Sequence, residues 1–143
     1  MKAEKSVMVQ VTHYYNAAPE RVFDAWLDAK TAAKFLFATP TGQMVRAETD
    51  PHVGGTYTFT DRRDGVDVVH TGTYLEIDRP RRLVFTFSAD GSDGGRVSVE
   101  IVPDGSGTRL TLSQELKPEW VEYAKQSEEG WSGILDGLAK VLA

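Results

Sequence analysis

Three histidines, His13, His52 and His70, are the only side chains here whose ordinary pKa lies near neutrality, and with the acids they bound the available chemistry. They stand far apart, there is no cysteine and no H-E-x-x-H pair, so the closely spaced ligands of a zinc site are missing and no metal is expected. Gly54-Gly55 runs into Thr56-Tyr57 with neither a lysine nor a helix to follow, so it reads as a turn allowing close backbone approach, not a phosphate loop. No serine sits in a nucleophile elbow, although a Ser/His/Asp set is spatial and stays open. His70, in "VDVVHTGTY", shares a strand face with Val68, Gly72 and Tyr74 if no bulge intervenes. It reads as a satisfied or outward-facing histidine, the alternative being a titratable group in a pocket. His13 continues the face of Val7, Val9 and Val11 and reads as an edge histidine. The acids Glu48, Asp61, Asp67, Glu76 and Glu100 alternate with apolar neighbours, which turns most of them to water.

The stronger signal is aromatic. Placed at about 100° per residue, Trp120, Tyr123, Ala124, Ser127, Trp131, Ile134, Leu135, Leu138, Val141 and Leu142 fall within roughly one third of a helix circumference. The N-terminal half of that stripe, Trp120, Tyr123, Ser127 and Trp131, combines apolar area with hydrogen-bonding handles, as ligand pockets do. The C-terminal half is aliphatic and reads as core. Tyr57 with Phe59, Tyr74, and Phe85 with Phe87 supply aromatic rings at alternating strand positions, and Trp26, Phe35 and Phe37 close the other end. These residues with His70 form the candidate ligand site, although a domain of this size needs several of them as core. Gly130, Gly133 and Gly137 lie within about 60° of one another, a strip where strand backbone or a second subunit can come close.

The elements that position these groups follow from periodicity. "SVMVQVTHYY" alternates as a first strand. "NAAPERVFDAWLDAKTAAKFLF" starts a helix at Asn16 and Pro19, breaks near Asp28 to Thr31 and resumes to about Phe37. Six alternating segments follow: "QMVRAET", "GTYTFTD", "VDVVHTGTYLEI", "RLVFTFSA", "RVSVEIV" and "TRLTLSQEL". Asp64-Gly65, Asp90-Gly91 and Asp104-Gly105 between them are hairpin signals, which makes an antiparallel meander. A last helix from Pro118, about 24 residues or roughly 36 Å long, is the element able to cover the sheet. The expected fold is α+β, a twisted antiparallel sheet of about seven strands wrapped around the C-terminal helix, in one domain over 1–143.

Composition excludes several partners. With 41% apolar and 26% charged residues the chain is of ordinary globular type. A net charge of -5 repels a phosphate backbone, and Arg62-Arg63 and Arg79-Pro80-Arg81-Arg82 read as solvated turns, so no nucleic acid is expected. No apolar run spans a bilayer and "MKAEKSVMVQ" lacks a secretory core, so no membrane is expected and a cytoplasmic location is.

Three stretches, "APERVFDAWLDAKTAAKF", "DPHVGGTYTFTDRRDGVDVVHTGTYLEIDRPRRLVFTF" and "EEGWSGILDGLAKVL", resemble the activator of heat-shock-protein ATPase homologue branch of the START-related helix-grip (SRPBCC, Bet v 1-like) superfamily. The resemblance implies a cavity between sheet and C-terminal helix that holds a small hydrophobic or amphipathic molecule, often a homodimer, and no cofactor. It leaves open a cyclase- or hydrolase-like enzyme using His70 or a pocket tyrosine, and a chaperone partner suggested by the family name. The sequence departs from relatives at "KFLFATP" and at His52, both expected at the pocket entrance.

Overall fold

A computed structural model describes residues 7–39 and 41–143. Ser6 of the first strand segment, the rest of the chain's start and Pro40 of "KFLFATP" lie outside the described residues.

The order is β1 (Val7–Tyr15), α1 (Pro19–Leu27), α2 (Ala29–Ala32), β2 (Gln43–Thr49), β3 (Thr56–Arg63), β4 (Val66–Asp78), β5 (Arg82–Ala89), β6 (Ser92–Asp104), β7 (Gly107–Leu116), a 3-10 segment (Pro118–Tyr123) and α3 (Ala124–Leu142). All seven strands form one sheet in the order β1-β7-β6-β5-β4-β3-β2, and each pairing is antiparallel. Strands β2 to β7 are therefore a meander. The first strand adds to the far side of the last, so the chain between β1 and β2 must cross one face of the sheet, and it does so as α1 and α2.

Local chemistry explains the boundaries. Pro19 occupies the first turn of α1, where its missing N–H costs nothing. Asp28 ends that helix with extended backbone, and its carboxylate accepts the Thr31 N–H at 3.2 Å to start the next. The break is thus a single residue, and beyond Ala32 the chain continues in turns that end at Phe37 with φ +60°. Asp64-Gly65 and Asp90-Gly91 both take positive φ, the geometry of a two-residue hairpin turn matched to strand twist. At the third hairpin Asp104 stays paired with Gly107, so the turn is Gly105-Ser106 and not Asp104-Gly105.

The C-terminal element differs from one uninterrupted α-helix. Its first six residues are 3-10, and α3 proper has 19 residues. With three residues per turn in that first segment, the 100° projection fails there, and Tyr123 is 43% exposed instead of turned inward. From Trp131 the stripe holds: Trp131, Leu135 and Leu138 are buried against Phe23 and Trp26 of α1 and inner-face residues such as Phe59, Phe85, Ile101 and Leu112. Gly137 packs on Phe35, where an added Cβ would lie 3.3 Å from the Phe35 Cβ, while Gly130 and Gly133 face open space. Among the described residues no strand backbone approaches the glycine strip.

The helix is pinned to β1 by the buried Tyr15 hydroxyl, which donates to the Leu135 carbonyl at 2.8 Å. Burial and then the nearby Asp136 carboxylate push the Tyr15 pKa far up, so the phenol stays a neutral donor. Leu135→Ala should cost about 2–5 kcal/mol and Tyr15→Phe about 1 kcal/mol, both read from urea unfolding midpoints at constant slope.

Candidate functional site

The inner face of the sheet carries alternating side chains: Tyr57, Phe59, Asp61 and Arg63 on β3, His70, Gly72 and Tyr74 on β4, and Phe85, Phe87 and Ala89 on β5. No bulge falls between Val68 and Tyr74; the register shift in β4 comes at Leu75, between Tyr74 and Glu76. His70 therefore points inward, paired with Phe59 and Ala89.

The expected site residues separate into two groups. Trp26, Phe35, Tyr57, Phe59, Tyr74 and Phe85 are buried in the core. The space left among Trp26, Leu36, Tyr57, Tyr74, Leu83 and Phe85 is about 10 Å³, room for one water at most. The Tyr57 hydroxyl is consumed by the Thr86 carbonyl at 2.7 Å, and burial raises the pKa of both Tyr57 and Tyr74.

Phe87, Trp120, Tyr123 and Ser127 instead line an open pocket of about 580 Å³ where β5, β6 and β7 meet the start of α3. Its wall also includes Arg63, Ala89, Gly94, Gln114, Leu116 and Gln126. The opening depends on a register shift between Phe87 and Ser88, where β6 supplies Gly94 and Gly95. An added Cβ at Gly94 would lie 2.2 Å from the Phe87 ring, and Gly95 has φ +83° with Glu115 backbone just beyond. Only glycine leaves Phe87 flat against the sheet at this point.

Phe37, His70 and Trp131 belong with the buried group: they pack behind Phe87 and are not among the residues of the pocket wall. Phe37 stacks on His70 at 4.4 Å and on Phe87 at 5.0 Å between ring centres, and Trp131 meets both phenylalanines edge-on at 5.8 Å. The Trp131 indole donates to Gln114 Oε1 at 2.8 Å, and the Gln114 amide donates to the Gly94 carbonyl, so this buried glutamine has both ends satisfied. Trp131 itself is buried in the core, behind the wall residue Gln114 that it holds. His70 Nδ1 lies 3.1 Å from the Phe59 carbonyl, which can only accept, so Nδ1 carries the proton and Nε2 the lone pair in the neutral ring. Burial lowers its pKa, partly offset by the Phe59 hydrogen bond, with Arg63 lowering it further and Asp61 and Asp90 opposing.

Two inward charges went unread in the sequence. Asp61 is 1% exposed, not turned to water; its Oδ2 accepts from Arg63 Nε and from Thr39 Oγ1, each at 2.8 Å. Its Oδ1 is buried with no hydrogen-bond partner among the described residues. Arg63 also donates through Nη2 to the Phe37 carbonyl at 3.1 Å. Arg63 is thus no solvated turn residue, in contrast to the exposed Arg62, Arg79 and Arg81 and the half-buried Arg82, which pair with surface acids. The period of two continued from Tyr57 and Phe59 would have found both, and continued from Leu110 and Leu112 would have found Gln114.

The remaining candidates lie elsewhere. His13 faces α3 on the edge strand, with Nδ1 donating to the Tyr14 carbonyl and Nε2 3.2 Å from Asp136. His52 is exposed, pairs with Asp50 at 3.0 Å and is not among the residues of this pocket wall. An added Cβ at Gly55 would sit 2.0 Å from the Asp50 carbonyl, so the glycine pair is the tight turn its sequence suggests. Three other depressions of about 550, 560 and 760 Å³ are walled by mixed charges such as Lys34, Asp136 and Lys140, or Asp24 and Arg79. Size does not separate them from the aromatic pocket; wall chemistry does. Among the described residues no group of three potential metal ligands converges, and no helix is long and apolar enough to cross a membrane.

An antiparallel sheet closed on one face by a long C-terminal helix, with two short helices after the first strand, is a helix-grip fold. The sequence pattern of the family described as Activator of Hsp90 ATPase homolog 1-like protein matches residues 16–143, and the chain belongs to that family. No curated protein matches the chain. Among solved structures it is similar to protein CV1439 from Chromobacterium violaceum, at 26% identity and a TM-score of 0.81 over 94% of this chain and 96% of that one. It is similar to Mll3558 from Rhizobium loti at 27% identity, with a TM-score of 0.78 over 99% and 100% of the two chains. An AHSA1-like protein from Aeromonas hydrophila shares the fold at 22% identity, with a TM-score of 0.79 over 94% and 91%.

The depressed His70 pKa has a stability consequence of definite sign. The unfolded chain holds the His70 proton more tightly than the folded one, so the contribution is present above an unfolded pKa of about 6.5 and lost as pH falls through the lower folded value. Urea unfolding at a series of pH values should show a steeper loss of stability below about pH 6.5 for the native chain than for His70→Gln. Parallel pH profiles would remove His70 as the cause.

Proposed function

We propose that this chain binds a small hydrophobic or amphipathic molecule in the pocket where β5 to β7 meet the start of α3. One contrast carries the reading: the interior between sheet and helix retains about 10 Å³, while the aromatic pocket at its end offers about 580 Å³. The larger volume lies within the roughly 300–1,000 Å³ of small-molecule sites. Phe87, Leu116, Trp120 and Tyr123 supply apolar wall, and Ser127 and Gln126 supply neutral polar groups from the helix side. Trp120 and Tyr123 pack on each other with ring centres 5.6 Å apart while Tyr123 stays 43% exposed, an aromatic rim that a ligand would cover.

The fold gives this rim its character. The 3-10 segment places both aromatic side chains beside the sheet end, and the register shift at Phe87 leaves the facing wall open. A ligand here would be shielded by ring faces instead of threading the core, which has no space for it. The family's helix-grip fold is consistent with this use, and the proposal includes the cytoplasmic, single-domain reading of the chain.

Thermal unfolding against a panel of apolar and amphipathic compounds tests the reading, since a ligand at a hundred times its Kd adds about 2.7 kcal/mol. Trp120→Ala should weaken a hit about tenfold or more, and Ser127→Trp should block it by filling the pocket. A panel without any stabilising compound, or hits indifferent to both substitutions, would overturn the assignment.

A further inference from the structure

We infer that the ligand is an amphipathic anion, with its apolar body between Phe87, Leu116 and Trp120 and a carboxylate turned to Arg63. This rests on the pocket being the ligand site and names the chemistry it selects. Arg63 is the one charged side chain among the described residues of the wall, and no Asp or Glu is among them, in a chain with 21 acids against 16 bases. A cationic ligand would meet the guanidinium edge with repulsion, and a neutral one would leave the donors not taken by Asp61 and Phe37 without an ionic partner.

The guanidinium is held, not loose. Nε is fixed on Asp61 and Nη2 on the Phe37 carbonyl, and these two bonds leave the Nη1 donors unspent on a side chain 35% exposed. A guanidinium fixed in this way offers Nη1 as a charged donor to a carboxylate oxygen, and little rotamer freedom remains to be lost on binding. Of the two wall amides, Gln114, on the sheet, is committed to Trp131 and Gly94. Donation to a ligand at the sheet side of the pocket therefore falls to Arg63.

Stability alone is a weak reason for this arrangement. Asp61 is 1% exposed and keeps one oxygen without a partner, and a buried ion pair often does no better than apolar residues of equal volume. What Asp61 and Thr39 provide is a cation of fixed direction at the pocket wall, with Asp61 as a positioning residue.

The test compares two pairs of probes that differ by one charge, 2-naphthoate with 2-naphthamide and decanoate with decanamide, by titration calorimetry at neutral pH. In the native chain the carboxylate of a pair should bind about tenfold or more tighter than its amide, and rising salt should erode only the carboxylate's affinity. In D61N/R63Q, which removes both charges without stranding a buried one, the affinity ratio should fall to about one; in R63K it should be intermediate. Circular dichroism reports whether the variants fold, and the salt series on the native chain decides if they do not. Equal binding of carboxylate and amide, a salt-independent preference, or a ratio that survives in D61N/R63Q overturns the anion assignment and leaves the pocket reading standing. Failure of both pairs to bind overturns both.

Discussion

Phe37 is a bulky residue held at φ +60°, where a side chain normally clashes with its own backbone, and the interior is arranged around the contacts that hold it there. Its ring stacks on both His70 and Phe87, whose own centres are 6.1 Å apart, meets Trp131 edge-on and reaches Tyr57, while its carbonyl takes a hydrogen bond from Arg63. The residue comes from the turns after α2, its partners from β3, β4, β5 and α3. Because these rings meet there, the chain between α2 and β2 plugs the space between sheet and helix. The core side of the plug is filled, and the far side is open.

That division explains why aromatic residues with similar sequence patterns do different work. Tyr57 and Phe87 both occupy inner-face strand positions and both touch Phe37. Tyr57 is enclosed, its hydroxyl committed to the Thr86 carbonyl, whereas Phe87 has a glycine opposite and open volume above it. The polar groups follow the same logic. Gln114 and Tyr15 are buried and spend their hydrogen-bonding capacity fixing α3 to the sheet, while Ser127, Gln126 and part of Arg63 remain at the pocket surface. A buried polar group without a partner is costly, so, Asp61 Oδ1 and Trp26 Nε1 apart, the side chains that stay free are those that reach solvent or a ligand.

The strand meander, the helix start at Pro19 and the aliphatic stripe from Trp131 onward were legible because each depends on neighbours a few residues away, through period, turn chemistry or backbone constraint. The 3-10 start of the last helix was not, since the 100° projection assumes one helix type and nothing in "KPEWVEY" marks the change. Asp61 and Arg63 were within reach and missed for a different reason: charged side chains were read as solvated, although strand alternation puts them beside Tyr57 and Phe59. Alternation is a geometric rule and charge only a tendency, and here geometry prevailed because the two charges answer each other.

By itself the sequence determined the number of strands, the meander of the last six, and the aromatic and aliphatic halves of the C-terminal element, which follow from local spacing, and its motifs carried the resemblance to the family. Only the tertiary structure decided which aromatic residues are core and which are wall. That choice turns on how the turns after α2 insert Phe37 across the sheet, through contacts with residues about thirty to a hundred positions away, and on a register shift that sets Gly94 and Gly95 against Phe87 across the β5–β6 hairpin. Packing density is a property of the assembled interior, so no window of sequence can state where it runs out.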